Sequence, residues 1–338
     1  MQMESLFIKI KSLRNLNDTT TKGYLSSLLR LQKKMGLSEV DINNEELDKF
    51  FQNWINILDF IKLNFKKPYQ TNLLSCLIVS MEAHMHEEDE KPIIKTGLAS
   101  IREYQMEIKK ELDLTKYSEK KSETEEINWV PYADLQAVIK TTNKRVNKIL
   151  KIGRPITLKE AKDIMLWVVA NLYVGSKENP PLRLDYNNMI VLSEKDYLEN
   201  NMSEGQNYLV IISSRTKYFV LGEYKTFKKY GKKSIKLSPV LNKVINRWEQ
   251  IKGNMIDNVK IHNNYLLFNN KAEPLSESLM STYIADAFKS TNRHITVNLL
   301  RHIFITDVVS GLPLIERKKI SDKMCHNIEM QQIYNKAD

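Results

Sequence analysis

The residue types best suited to chemistry crowd into one stretch near the end of the chain, Thr296 to Lys336, which reads TVNLLRHIFITDVVSGLPLIERKKISDKMCHNIEMQQIYNK. Arg301 and His302 follow an apolar lead-in, His326 stands 25 residues after Arg301, and Tyr334 stands eight residues after His326. A guanidinium stays charged and presents a fixed fork of donors that can hold two oxygens at once. A phenol can act as a nucleophile whose ester is open to reversal. An imidazole can donate a hydrogen bond to an oxyanion.

This order and spacing resemble the second conserved box of the tyrosine recombinase (phage integrase) family. That box reads His-x-x-Arg-His, then a Gly-His or similar pair, then the Tyr that attacks DNA. Leu300-Arg301-His302 matches the arginine pair, Met324-Cys325-His326 takes the Leu-Gly-His place, and Gln332-Ile333-Tyr334 matches the nucleophile segment. One position departs, because Asn298 stands where the box begins with His. An amide can bond to phosphate but cannot exchange a proton near neutral pH, so any help from that histidine in deprotonating the tyrosine is missing. The resemblance gives His302 a buried structural role.

The same family places its first catalytic arginine after a buried helix. Here Leu182-Arg183-Leu184-Asp185 follows the apolar run Ile164 to Val174 and the pair Pro180-Pro181. The family's buttressing acid comes three positions after the arginine, whereas Asp185 comes two after Arg183. A catalytic lysine on a basic hairpin is matched by Lys225-Thr226, with Lys217 as the competing assignment and Lys228 and Lys229 as contacts to backbone phosphate. The resemblance thus implies that Arg183 and Arg301 clamp a scissile phosphate and His326 adds a hydrogen bond. Lys225 protonates the leaving 5′ oxygen, and Tyr334 becomes joined to the 3′ phosphate. It further implies double-stranded DNA as partner, a homotetramer on paired sites, and no metal or nucleotide cofactor. The PPLRLDY segment and the lysine hairpin look most like integrases of virus-associated mobile elements, which would integrate or excise DNA in the cytoplasm or nucleus of a host cell.

The elements that must position these groups follow from length and pattern. A chain of 338 residues suggests about two domains. Its net charge of +10 suits a polyanion, since cations that neutralise phosphates release counterions. Cys76 and Cys325 are too far apart in sequence to read as a disulfide framework or a metal cluster, so a reducing, intracellular setting is expected. No apolar run reaches the roughly 18 residues of a membrane span, and the chain is expected to be soluble.

Apolar series at helical spacing recur up to about residue 112. The first runs from an N-cap at Thr19-Thr20-Thr21 through Tyr24, Leu28, Leu31 and Met35 to Gly36. A second runs from Leu47 to Ile61, a third from Leu73 to Met81, and a fourth from Leu98 to Lys110. Residues 1–112 are therefore expected to form an all-α bundle resembling the family's SAM-like core-binding domain. Lys22, Lys33, Lys34, Lys66, Lys67 and Arg102 are its candidate phosphate contacts, set against the ordinary reading of a solvated helix face. His84 and His86, beside the acidic run Glu87 to Glu90, read as solvated surface rather than a metal site. Residues 113–128, polar and of mixed charge, are expected to be linker.

Residues 129–338 are then expected, on the resemblance, to form the catalytic domain. It should open with a helix through Leu135, Val138, Ile139, Val146 and Ile149, followed by a buried helix capped by Thr157 and Glu160. Short β-prone runs at Tyr208 to Ile212, Tyr218 to Tyr224 and Ser234 to Leu237 predict a small antiparallel sheet. Helices at Leu241 to Ile251 and Leu275 to Phe288 lead into the final box. The expected class is mainly α with a small sheet. Two other readings remain at this stage: a type IB topoisomerase-like enzyme with the same Arg, Lys, Arg, His, Tyr set, and a DNA-binding protein without activity.

Overall fold

Helices dominate the computed structural model, which describes residues 2–37, 44–85, 91–116, 120–199, 205–253 and 264–336. The chain divides into two units, Met1–Tyr117 and Ser118–Asp338.

The first unit contains α1 (Gln2–Arg14), α2 (Asp18–Lys34), α3 (Asn44–Gln52), α4 (Trp54–Asn64), α5 (Lys67–Met85) and α6 (Pro92–Lys116). Leu28, Phe51, Ile57, Leu74 and Ile101 are among the side chains of its single core. Helix α1 was not anticipated, although Leu6 and Ile10, one turn apart, bury completely enough to hold it in that core. The cap of α2 is Asn17, whose side chain accepts the Thr20 N–H at 2.8 Å, so the threonine cluster lies inside the helix instead of starting it. The long second apolar series breaks at Asn53 into α3 and α4. His84 is buried on α5, with Nε2 2.7 Å from Asp48 Oδ1, and Lys91 reaches the same carboxylate oxygen at 2.7 Å. That corrects the solvated reading of His84; His86 and Glu87 to Glu90 lie outside the described residues.

The second unit contains α7 (Glu123–Asn128), α8 (Tyr132–Leu150), α9 (Leu158–Val174), β1 (Ile190–Ser193), α10 (Glu194–Glu199), β2 (Asn207–Ile211), β3 (Lys217–Leu221), α11 (Phe227–Tyr230), β4 (Lys233–Lys236), α12 (Pro239–Gly253), α13 (Glu277–Ala287), α14 (Val297–Phe304), α15 (Leu314–Lys323) and α16 (Ile328–Tyr334). The expected linker is thus helical at both ends: α6 continues to Lys116, and α7 forms behind a Ser122/Glu125 capping box.

Helix α9 is the centre of this unit, with Ile164, Val168, Val169, Leu172 and Tyr173 all fully buried. Thr157 and Glu160 close its first turn as the sequence predicts. It ends at Gly175, ahead of the Pro180-Pro181 pair; a Cβ there would stand 2.6 Å from the Asn171 carbonyl oxygen. The sheet runs β1-β2-β3-β4. Strands β2, β3 and β4 pair antiparallel as expected, but β1 adds in parallel to β2, so the sheet is mixed. Mainly α with a small sheet is the class observed.

Candidate active site

Thr296 caps α14 by accepting the Leu299 N–H at 3.2 Å. Helical spacing then turns Leu299, Leu300, Ile303 and Phe304 into the core and carries Arg301 in with them, leaving it fully buried. A buried guanidinium must spend its donors on partners. Arg301 Nη1 donates to the Pro181 carbonyl at 2.7 Å, and Nη2 donates to the Met324 carbonyl at 3.4 Å and to His326 Nδ1 at 3.2 Å. One side chain therefore braces two chain segments, one two residues ahead of Arg183 and the other two ahead of His326. The Pro181 carbonyl accepts there, in the segment that follows the end of α9 at Gly175.

The contact between Arg301 and His326 fixes a tautomer. Arginine has no acceptor, so Nδ1 of His326 accepts and the ring proton sits on Nε2. That Nε2 is buried with no partner among the described residues, as is Arg301 Nε. Burial first, then the charges of Arg301 and Arg183, pull the His326 pKa down to about 3, so the imidazole is neutral. Its loop takes an unusual path: Cys325 has φ +55°, in the left-handed region that favours glycine.

Tyr334 occupies the last turn of α16. That helix is capped by Asn327, whose Oδ1 accepts the Met330 N–H at 2.9 Å. Gln331, fully buried, ties it to α15, donating to the Arg317 carbonyl at 3.1 Å while Arg317 Nε donates back at 3.3 Å. Beyond the tyrosine, the Lys336 N–H donates to Thr306 Oγ1 at 2.9 Å, from a single turn of π-helix at Ile305–Val309. Held at both ends, the Tyr334 ring stacks on His326 with centroids 5.5 Å apart, and Arg301 lies 5.1 Å from its centroid. Burial acts to raise the phenol's pKa, but the charges and hydrogen bonds of Arg301 and Arg183 outweigh it and leave the pKa below its ordinary value.

Arg183 is half-buried in the segment after α9. Tyr173, from α9, donates its hydroxyl to the Arg183 carbonyl. Asp185 accepts the Arg183 backbone N–H at 2.9 Å, so the acid at the shortened spacing holds the main chain of the arginine's turn. Burial raises the Asp185 pKa despite Arg301 and Arg183 nearby.

The two lysine candidates differ in their surroundings. Lys217 is buried on β3, with Nζ donating to the Ser213 and Ser214 carbonyls and to Asn246 Oδ1 at 2.6 Å. That spends all three of its protons on structure. Lys217→Met is expected to lower the melting temperature modestly, because three hydrogen bonds from a buried ammonium are lost while their acceptors, on exposed Ser213 and Ser214 and half-buried Asn246, can turn to water. Lys225 is exposed, in the turn between β3 and α11 rather than on a strand. Thr226 beside it donates to the Cys325 carbonyl at 2.8 Å, tying the Lys225 turn to the His326 loop.

Asn298 is exposed in the first turn of α14, one turn from Arg301. His302, expected to be structural with an auxiliary part in the site as the alternative, meets the Tyr334 ring edge-on with centroids 4.7 Å apart. Lys228 and Lys229 are exposed on α11. In the first unit Lys22, Lys33, Lys34 and Lys66 are exposed, and Lys34 lies over the Phe65 ring at 5.0 Å, next in sequence to Lys66. Lys67 and Arg102 are ion-paired with Glu111 and Glu82, and each would have to leave its carboxylate to meet a phosphate.

Sequence reasoning missed Pro181, Thr226, Thr306 and Gln331, which act through backbone atoms or distant partners and carry no motif. Glu125 was also missed, although its capping-box spacing from Ser122 was readable.

No protein-family model matches the chain, and no curated protein matches it. Among solved structures, the crystal structure of XerA recombinase is similar at 12% identity and a TM-score of 0.41, over 99% of this chain and 94% of that one. A likeness at that score carries no argument about function.

Proposed function

We propose that the chain is a tyrosine recombinase that cleaves and rejoins DNA through a 3′-phosphotyrosyl intermediate. The observation that carries this reading is the gathering of Arg301 and His326 on the Tyr334 ring, at 5.1 Å and 5.5 Å between centres, with the charge of Arg183 adding to that of Arg301 in lowering the phenol's pKa. Two guanidinium groups hold the non-bridging oxygens of the phosphate as negative charge spreads over them in the transition state. His326 adds its unspent Nε2–H. The phenol, its pKa already lowered, gives its proton to solvent water and attacks phosphorus as the phenolate; the O–P bond forms, the P–O5′ bond breaks and Lys225 gives the departing oxygen its proton. A 5′ hydroxyl of the partner strand later attacks the phosphotyrosine and releases Tyr334. The phenol lies against its own chain's arginines, which supports delivery in cis.

Strand exchange between two labelled duplexes from the flanks of the encoding gene tests this reading. Hybrid duplexes made by wild type and absent with Tyr334→Phe would support it. Relaxation of supercoiled DNA without hybrids would move the assignment to a type IB topoisomerase, and binding alone would move it to a DNA-binding protein. Lys225→Ala is expected to slow cleavage of ordinary DNA about 10²–10⁴-fold, the usual reach of general acid catalysis. A bridging 5′ sulfur, which departs without a proton, should restore the rate.

A further inference from the structure

Glu125 stands on α7, in a segment whose composition reads as linker. Its two carboxylate oxygens have different tasks. Oε2 accepts the Ser122 N–H at 2.8 Å and the Ser122 hydroxyl at 2.7 Å, which locks the side chain into the capping box. Oε1 is left 3.3 Å from His302 Nδ1, close but out of line for a full hydrogen bond. The His302 ring in turn packs edge-on against Tyr334, at 65° between planes. Carboxylate, imidazole and phenol thus stand in series.

We propose that Glu125 is a positioning residue for the transesterification: its carboxylate selects the tautomer and ring plane of His302, and that ring sets Tyr334 against the arginine pair. This rests on the reading above. Burial pulls the His302 pKa down to about 4, with Glu125 acting against that shift and Lys336 and Arg301 adding to it, so the ring is neutral at working pH. A neutral imidazole has one N–H, and a carboxylate can only accept, so Glu125 favours the Nδ1–H form and leaves Nε2 as an acceptor. Without the carboxylate both the tautomer and the ring plane are released. Misplacing a reacting atom by about 1 Å can cost on the order of 10²-fold in rate.

The test uses the full chain with ¹⁵N-labelled histidine. In wild type, His302 should be in the Nδ1–H form. Glu125→Gln should shift it towards Nε2–H, move the Tyr334 ring resonances, and slow adduct formation on nicked duplex by about 10- to 100-fold. Glu126→Gln is the control, because it neutralises an exposed carboxylate on the same helix that takes no part in holding His302: tautomer and rate should hold. The proposal is overturned if Glu125→Gln changes neither tautomer nor ring resonances, or if Glu126→Gln slows the reaction as much as Glu125→Gln does. A wild type that forms no adduct would refute the recombinase reading, while the tautomer and ring shifts would still decide whether Glu125 positions Tyr334.

Discussion

Arg301→Lys is expected to slow formation of the covalent adduct by about 10²–10³-fold, the loss seen when one preorganised donor is removed from a developing oxyanion. It should also lower the melting temperature. The guanidinium serves the Pro181 carbonyl, the Met324 carbonyl and His326 Nδ1 from one plane, and an ammonium on a shorter reach cannot serve all three. Each carbonyl left unpaired in the interior costs about 1–3 kcal/mol. Burial adds a second penalty: Arg301 is already drawn below its ordinary pKa by its surroundings, and a lysine there would shed its proton more readily than an arginine. Tyr334→Phe makes the useful contrast, losing the adduct while retaining the arginine's framework. Single-turnover trapping combined with thermal unfolding checks both halves. An Arg301→Lys protein with wild-type rate and stability would mean that the guanidinium does neither job.

The second large effect is the dependence of stability on acid. His326 and His302 are held neutral in the folded chain, with pKa values pulled down to about 3 and about 4, chiefly by burial. His84 in the first unit is also lowered, again by burial, although Asp48 opposes it. An unfolded histidine titrates at about 6.5. Between those limits the unfolded chain binds protons that the folded chain refuses, so stability is fully present above about pH 6.5 and falls as pH drops towards about 3–4. Within that window each such histidine contributes a slope of about 1.4 kcal/mol per pH unit. Urea unfolding at pH 7 and pH 5 should show the loss, and His326→Gln should reduce its slope by one histidine's share. An unchanged slope in that variant would mean that His326 is protonated in the fold.

Much of this arrangement could be read from residue type and spacing. Thr157 and Glu160 announced α9, and the spacing from Arg301 to His326 to Tyr334 announced a cluster that the fold assembles around one phenol. The features that escaped act through the main chain or across long separations. Strand β1 is short, only partly buried and parallel to β2, so it carries none of the alternation that marks a strand in sequence. The choice between Lys217 and Lys225 was open in sequence because both sit in basic, β-prone surroundings, and the hydrogen bonds that occupy Lys217 Nζ could not be read there. His302 looked structural because its neighbour carries the motif, and its contact with Tyr334 depends on how α14 and α16 meet. The linker expectation followed composition, yet a capping box at Ser122 and a bond from the His294 N–H to Asn128 Oδ1 hold Glu123–Asn128 as a helix, with Glu125 beside His302.

The most direct measurement is covalent trapping on nicked duplexes drawn from the encoding element, in EDTA, with the adduct digested and its modified peptide sequenced by mass spectrometry. The account predicts a denaturant-resistant adduct in wild type, with the 3′ phosphate on Tyr334, and none in Tyr334→Phe. An adduct on any other residue, or DNA bound by both proteins with no adduct in either, would contradict it.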